Sequence, residues 1–273
     1  MIKFCYRFCV LAVALMALAS CSEYQKIVNS TDVVEKYKAA QDYYDKGEYK
    51  KAIRLFEIVK PSFSGKPQNE RLVYFFANAY YQNKDYYLAA YQYDNFVKSY
   101  PKSDRVEEAS FYAAKCYYHQ SPIYSLDQKD TFEALEKLQV FLNKYPQSSY
   151  SDEANQLILE LQTKIEQKDF EIAKQYYTIR DYKAAVKALD NFISEYPGTK
   201  FREEALYQKF NAAYEIAINS FRTVMKPRLE ELQQLYQTIF RYYPETLFSE
   251  DLNQKIEEVE KLLRTFAPPT ESK

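Results

Sequence analysis

The chain has 273 residues, 47% hydrophobic and 27% charged, with three glycines and no tryptophan, which leaves little room for glycine-rich phosphate loops or a fold of many tight β-turns. Its formal charge of −1 becomes −3 once Lys3 and Arg7 leave with a leader, so it carries no cationic footprint for nucleic acid. Tyrosine, at 29 residues beside 18 phenylalanines, far exceeds ordinary usage and suits both interhelical packing and half-wet binding surfaces.

Lys3 and Arg7 precede an apolar run from Val10 to Leu18 that ends in Ala19-Ser20-Cys21, the layout of a signal peptide over residues 1–20. The run is much shorter than the ~20 residues a helix needs to cross a bilayer. Leu18-Ala19-Ser20-Cys21 resembles the lipobox of bacterial lipoproteins, which implies that the Cys21 thiol receives diacylglycerol and becomes the first mature residue. The alternative is an ordinary secreted chain with a cysteine near its cleavage site. Each buried methylene adds about 0.8 kcal/mol, so the several acyl chains implied by the resemblance hold the protein on a membrane without a spanning helix. Ser22 stands where an Asp would, by the same resemblance, signal inner-membrane retention, so the expected address is the outer membrane. Cys5 and Cys9 leave with the leader, and Cys116 then lacks a disulfide partner and is expected in the core.

Residues 21–30 read as a polar, lipid-anchored tether, 31–264 as a repeat domain and 265–273 as a flexible tail. Four Tyr-Pro pairs punctuate the repeat: Tyr100-Pro101, Tyr145-Pro146, Tyr196-Pro197 and Tyr243-Pro244, each followed by Ser103, Ser148, Thr199 or Thr246. Proline ends one helix, while the hydroxyl and the acidic residues after it suit the start of the next. Ala77, Tyr80, Ala89, Tyr93, Phe96 and Pro101 recur at the same spacing as Ala173, Tyr176, Ala185, Leu189, Phe192 and Pro197. Ala40, Tyr43, Ala52 and Phe56 repeat the phase earlier, and Ala134, Leu138 and Phe141 in the middle. Small residues let helices approach and aromatics fill the gaps, a pattern that resembles the 34-residue tetratricopeptide repeat. The resulting expectation is an all-α, right-handed superhelix of about five helical hairpins.

Four irregularities are expected. His119 to Asp130 reads as an exposed loop inserted in the third repeat, and Ser151 to Lys164 as an extra helix before the fourth. The fifth repeat, about Phe201 to Pro244, has Leu232 where alanine is expected, and Asp251 to Arg264 reads as a closing helix.

No constellation for catalysis stands out. His119 is alone and reads as a solvated loop residue rather than a metal ligand or base. The pairs Glu107-Glu108, Asp152-Glu153 and Glu203-Glu204 share one phase after Tyr-Pro and read as helix N-terminal charges. No enzyme activity is expected, and no cofactor beyond the covalent lipid on Cys21. First-helix positions of tetratricopeptide proteins line an inner groove, and that phase falls on Tyr37, Gln41 and Tyr44, then Arg71, Tyr74, Asn78 and Tyr81, then Phe111, Lys115 and Tyr118. Together they offer backbone hydrogen bonds, a contact for a terminal carboxylate and side-chain pockets to an extended peptide. The alternative is that these residues are packed or merely solvated.

The lipobox, the five hairpins, the insertion with Asp127-Gln128 and Thr131, and the segments LVYFFANAYYQNKDYYLAAYQYDNFVKSYPKS and DFEIAKQYYTIRDYKAAVKALDNFISEYPGT together resemble the BamD family of β-barrel assembly lipoproteins. The resemblance covers essentially the whole mature chain, although the tyrosine excess and the C-terminal extension depart from it. It implies a lipid-anchored scaffold on the outer membrane, facing the periplasm. Its N-terminal repeats would receive unfolded outer-membrane protein precursors, and its C-terminal repeats would dock a BamA-like outer-membrane barrel with periplasmic domains. A lipid-anchored adaptor for other envelope or cell-wall proteins has the same motifs. A glycan-binding lipoprotein fits less well, because tryptophan is absent and the helices are closely spaced.

Overall fold

The computed structural model describes residues 23–266, and all regular structure among them is helical. A short helix α1 covers residues 23–29. It is followed by α2 (Val33–Asp45), α3 (Tyr49–Phe63), α4 (Gln68–Gln82), α5 (Tyr86–Ser99), α6 (Val106–Gln120) and α7 (Lys129–Lys144). Then come α8 (Ser151–Thr178), α9 (Tyr182–Glu195), α10 (Arg202–Ile218), α11 (Arg222–Tyr242) and α12 (Ser249–Arg264). The stretch read as one repeat domain falls into two compact units: one runs through Pro122 and includes Gln128–Ile158, and the other holds Ile123–Asp127 and the chain from Leu159 onward.

The first unit is a run of helical hairpins, each helix packed on the next in sequence from α2 to α7. Its core carries the alanines and aromatics of the repeat: Ala40, Ala52, Phe56, Ala77, Ala89, Tyr93 and Phe96 are fully buried. In the second unit Phe170, Ala173, Leu189, Phe192 and Ala205 form one cluster. Phe210, Ala217, Leu229, Leu232, Ile239, Leu252 and Val259 form another, in which Leu232 takes the place expected for alanine.

Two local motifs account for the hairpins. Within three of them the chain turns through a left-handed residue, Gly47 (φ 74°), Lys84 (φ 64°) or Arg180 (φ 63°). In each turn the next N–H, of Glu48, Asp85 or Asp181, donates back to the carbonyl of Tyr43, Tyr80 or Tyr176 at 2.8, 3.0 and 3.0 Å, the six-to-one bond that closes a helix C-terminus. A tyrosine pair straddles each turn, Tyr44–Tyr49, Tyr81–Tyr86 and Tyr177–Tyr182, with ring centroids 5.6 to 5.7 Å apart. Six of the 29 tyrosines thus pack the turns.

Between hairpins the Tyr-Pro corners repeat atom for atom. The N–H groups of Tyr100, Tyr145, Tyr196 and Tyr243 donate to the carbonyls of Phe96, Phe141, Phe192 and Ile239 at 2.8 to 2.9 Å. The hydroxyls of Ser103, Ser148, Thr199 and Thr246 accept the N–H two residues on, from Arg105, Tyr150, Phe201 and Phe248, at 3.1 to 3.3 Å. The next helix starts one residue later, so these hydroxyls tie the turn rather than cap the helix directly. The acidic pairs sit in the first turns of α6, α8 and α10, as their phase implies.

Four expectations need correction. Residues 23–29 of the supposed tether are helical, and Tyr24, Ile27 and Val28 pack against the first-unit core. Ser151–Lys164 is not a separate helix but the start of the 28-residue α8, because neither glycine nor proline interrupts the segment. The insertion is shorter than read: α6 runs on to Gln120, and Thr131 and Gln128 are buried, with the Thr131 hydroxyl donating to Gln128 Oε1 at 2.7 Å. Thr265 and Phe266 are held, not loose. Arg222 stacks over the Phe266 ring at 4.4 Å and donates to the Thr265 carbonyl at 2.7 Å.

Candidate functional site

Cys21 lies outside the described residues. The groove positions all lie in the first unit, on α2, α4 and α6, and they divide by burial. Phe111 is 1% exposed, stacked on Tyr150 at 4.7 Å and tilted against Phe141 at 5.4 Å, so it belongs to the core. Tyr74 and Asn78 are also buried. Tyr37, Gln41, Tyr44, Tyr81, Lys115 and Tyr118 are partly exposed, and Arg71 is exposed.

Hydrogen bonds fix several of them. Gln41 Nε2 donates to the Tyr37 hydroxyl at 3.1 Å, one helical turn back. The Tyr44 hydroxyl donates to Asn78 Oδ1 at 2.7 Å and so joins α2 to α4. Burial, then the neighbouring Tyr49 and Asp45, pushes the Tyr44 phenol up to about 12. Burial, and a hydrogen bond with Glu108, raises Tyr74 further.

The Tyr74–Phe75 step is the most cation-rich point of the face. Arg71 lies over the Phe75 ring at 5.3 Å, and Arg105 lies over Tyr74 at 4.5 Å and Phe75 at 5.5 Å. Both arginines are exposed, and among the described residues neither makes an ion pair. Two guanidiniums flanking an aromatic step present planar donors and positive charge to an anion while their stacking orients them. Arg105 escapes a first-helix projection because it sits in the corner after Tyr100-Pro101. Its spacing from Ser103, whose hydroxyl accepts the Arg105 N–H, is the signal that could have found it.

At the far end of the face Lys115 pairs with Glu153 at 2.6 Å. Burial lowers the Lys115 pKa, but the bond to Glu153 and the neighbouring Tyr81 outweigh it and the net shift is upward. His119 occupies the last turn of α6 rather than a loop. Its ring stacks on Tyr86 at 4.3 Å, with Nε2 3.3 Å from the Tyr81 hydroxyl, and burial followed by Lys115 lowers its pKa. Cys116 is fully buried, and burial raises its thiol pKa far above the usual range.

The second unit has its own cleft of about 500 Å³ between α9, α10 and α11. Val186, Ala213, Ile216, Leu232 and Leu235 give it an apolar lining. Lys209 and Asp190 pair across it at 2.5 Å, with Arg228 and Glu231 alongside. Among the described residues no group of three or more His, Cys, Asp or Glu is placed to hold a metal, and no helix is long and apolar enough to cross a membrane.

The sequence pattern of the YfiO family, described as outer membrane lipoprotein, matches residues 29–229 and 165–266. Relatives named outer membrane protein assembly factor BamD are similar over much of the chain. The protein of Neisseria meningitidis serogroup B is 25% identical over 80% of this chain and 84% of its own, and that of Pasteurella multocida 25% over 75% and 84%. The protein of Caulobacter vibrioides is 25% identical over 67% of this chain, which spans 60% of the relative's length. Among solved structures, the TPR2AB domain of yeast Sti1 in complex with pHSP90 aligns with 84% of this chain and 98% of its own, at 14% identity and a TM-score of 0.40.

Proposed function

The chain belongs to the YfiO family of outer membrane lipoproteins, and on that footing we propose that it is a component of the machinery that assembles β-barrel proteins into the outer membrane. It is acylated on Cys21, faces the periplasm, and works by binding rather than catalysis, with no cofactor besides its lipid. The family match, to outer membrane lipoproteins, is the observation from which this reading starts.

The first-unit face receives the C-terminal segment of unfolded precursors. Its support is the Arg71–Phe75–Arg105 arrangement: two guanidiniums that make no ion pair among the described residues, held over an aromatic step, suit a chain-terminal carboxylate with an aromatic side chain beside it. Tyr37, Gln41 and Tyr118 offer polar edges for the extended chain. Tyr44, Asn78 and Tyr74 set the backing, and Phe111 packs the core behind it. The second unit docks the periplasmic domains of a BamA-like barrel, and its cleft between α9 and α11 combines the apolar lining and mixed charge that a protein interface needs.

The carboxylate assignment is tested with one peptide in two forms. A fluorescent barrel C-terminal peptide is titrated as free acid and as C-terminal amide against the wild-type chain and an Arg71→Ala/Arg105→Ala variant. Charge-assisted bonds contribute about 1.5–3 kcal/mol, so the free acid should bind roughly tenfold or more tightly to wild type, with the preference gone in the variant. Equal affinities of acid and amide for wild type would remove the carboxylate from the model of recognition. For the barrel partner, truncation after Pro197 should abolish co-purification while leaving the chain in the membrane fraction, and retained co-purification would place docking elsewhere.

A further inference from the structure

The chain between the anchor and the folded body is almost nil. Glu23 is already in α1, and only Ser22 separates it from Cys21, so the two Cα atoms are at most about 7 Å apart. α1 is not a leash either. The Tyr24 ring packs edge-on against Tyr43 at 5.4 Å, its hydroxyl donates to the Lys51 carbonyl at 3.4 Å, and Ile27 and Val28 lie on the core. An acyl anchor on Cys21 therefore grips the first hairpin directly.

The surface beside α1 is the α2–α3 turn and the first two turns of α3. Lys46 and Lys51 lie over the Tyr43 ring at 5.8 and 5.0 Å, and Lys51 lies 5.6 Å from the Tyr24 ring. Lys50 and Arg54, one helical turn apart, are exposed. The acidic groups here are Glu48, paired with Lys51 at 2.5 Å, Glu57, 3.9 Å from Arg54, and the exposed Glu23, Asp42 and Asp45. Tyrosine rings edged by long cationic side chains, with a balanced overall charge, are the composition that settles at a headgroup layer rather than in its apolar interior. A protein layer cannot intervene at the anchor, because a single helix is about 10 Å thick and the reach from Cys21 is less.

We infer that this face, made of α1, the α2–α3 turn and the start of α3, lies in the headgroup layer of the bilayer that holds the anchor, with Lys46, Lys50 and Arg54 meeting lipid phosphates. The inference rests on acylation of Cys21, and it fixes which side of the first hairpin is turned toward the membrane.

The test uses the full chain purified from membranes and reconstituted into phosphatidylethanolamine–phosphatidylglycerol vesicles with a nitroxide-headgroup lipid. Lipid occupies the Cys21 sulfur and Cys116 is buried, so a cysteine introduced as Lys50→Cys or, on α7, as Glu136→Cys is the thiol that a fluorophore reaches. The label at position 50 should be quenched several times more strongly than the label at 136. A flexible twenty-residue Gly-Ser insertion between Ser22 and Glu23 removes the short link and should weaken the quenching at position 50. Equal quenching at the two positions in vesicle-bound protein overturns the inference. Protein that fails to float with the vesicles overturns instead the acylation on which it rests.

Discussion

Replacing Phe111 with alanine tests whether the first-unit face is core or groove at this position. The side chain is 1% exposed, its ring is stacked 15° from the plane of Tyr150, and Lys115 lies 5.6 Å over it. Truncating a fully buried phenylalanine costs about 3–5 kcal/mol, as lost transfer energy plus the cavity left behind. The lost Tyr150 stack accounts for roughly 0.5–1.5 kcal/mol of that cost. For a unit of this size each kcal/mol is worth about 2–4 °C, so the variant should melt roughly 10 °C below wild type. Thermal unfolding of a chain beginning at Ser22, followed by circular dichroism, measures it, with precursor-peptide anisotropy run on the folded variant below its transition. Tyr118→Ala, at a partly exposed position, should lower the melting temperature by no more than about 2 °C. A Phe111→Ala variant that melts with wild type and yet loses peptide would make Phe111 a ligand contact and refute the packing account.

Other perturbations have equally definite outcomes. A double-mutant cycle of Tyr44→Phe and Asn78→Ala should show a coupling of about 1 kcal/mol in urea unfolding, the worth of their 2.7 Å hydrogen bond; additive effects would deny that the pair joins α2 to α4. Lys84→Gly relieves a left-handed residue at φ 64° and should raise stability by about 0.5–1 kcal/mol, and a loss would show that the lysine side chain compensates its backbone. Burial holds the Tyr44 phenol near 12 and raises those of Tyr74, Tyr80 and Tyr93, so the folded state keeps protons that an unfolded chain releases near pH ~10. That stability is whole below pH ~10 and is lost as pH climbs toward 12, so helix content and tyrosinate absorbance should change together. Tyrosine ionisation that precedes helix loss would contradict it.

What could be read beforehand depended on how local its cause is. The Tyr-Pro corners were legible because proline geometry and a hydroxyl three residues after tyrosine act within one turn. Tyr24, Ile27 and Val28 already show helical spacing, yet seven residues among polar neighbours give too short a window, and only their packing on the first-unit core settles α1 as part of the fold. The length of α8 was hidden for the opposite reason: repeat phase suggested a break near Lys164, but every residue there is compatible with helix. Projecting the groove phase named a helix face without knowing what covers it. Phe111 is covered by Tyr150, which arrives from the Tyr145-Pro146 corner at the far end of α7, and Arg105 reaches the same face from a turn that the projection skips.

The tyrosine hydroxyls also have an optical consequence. Tyr80 donates to Glu57 at 2.8 Å, and in the second unit Tyr196, Tyr207 and Tyr214 donate to Asp169, Asp251 and Glu258 at 2.6, 3.0 and 2.5 Å. A carboxylate in that position draws the phenolic proton during the excited state and darkens the ring's emission. With no tryptophan to mask the signal, the emission of these four rings should be weak in the folded chain and should rise when helices separate. Each compact unit thus contains at least one native reporter of its own integrity, readable without a dye.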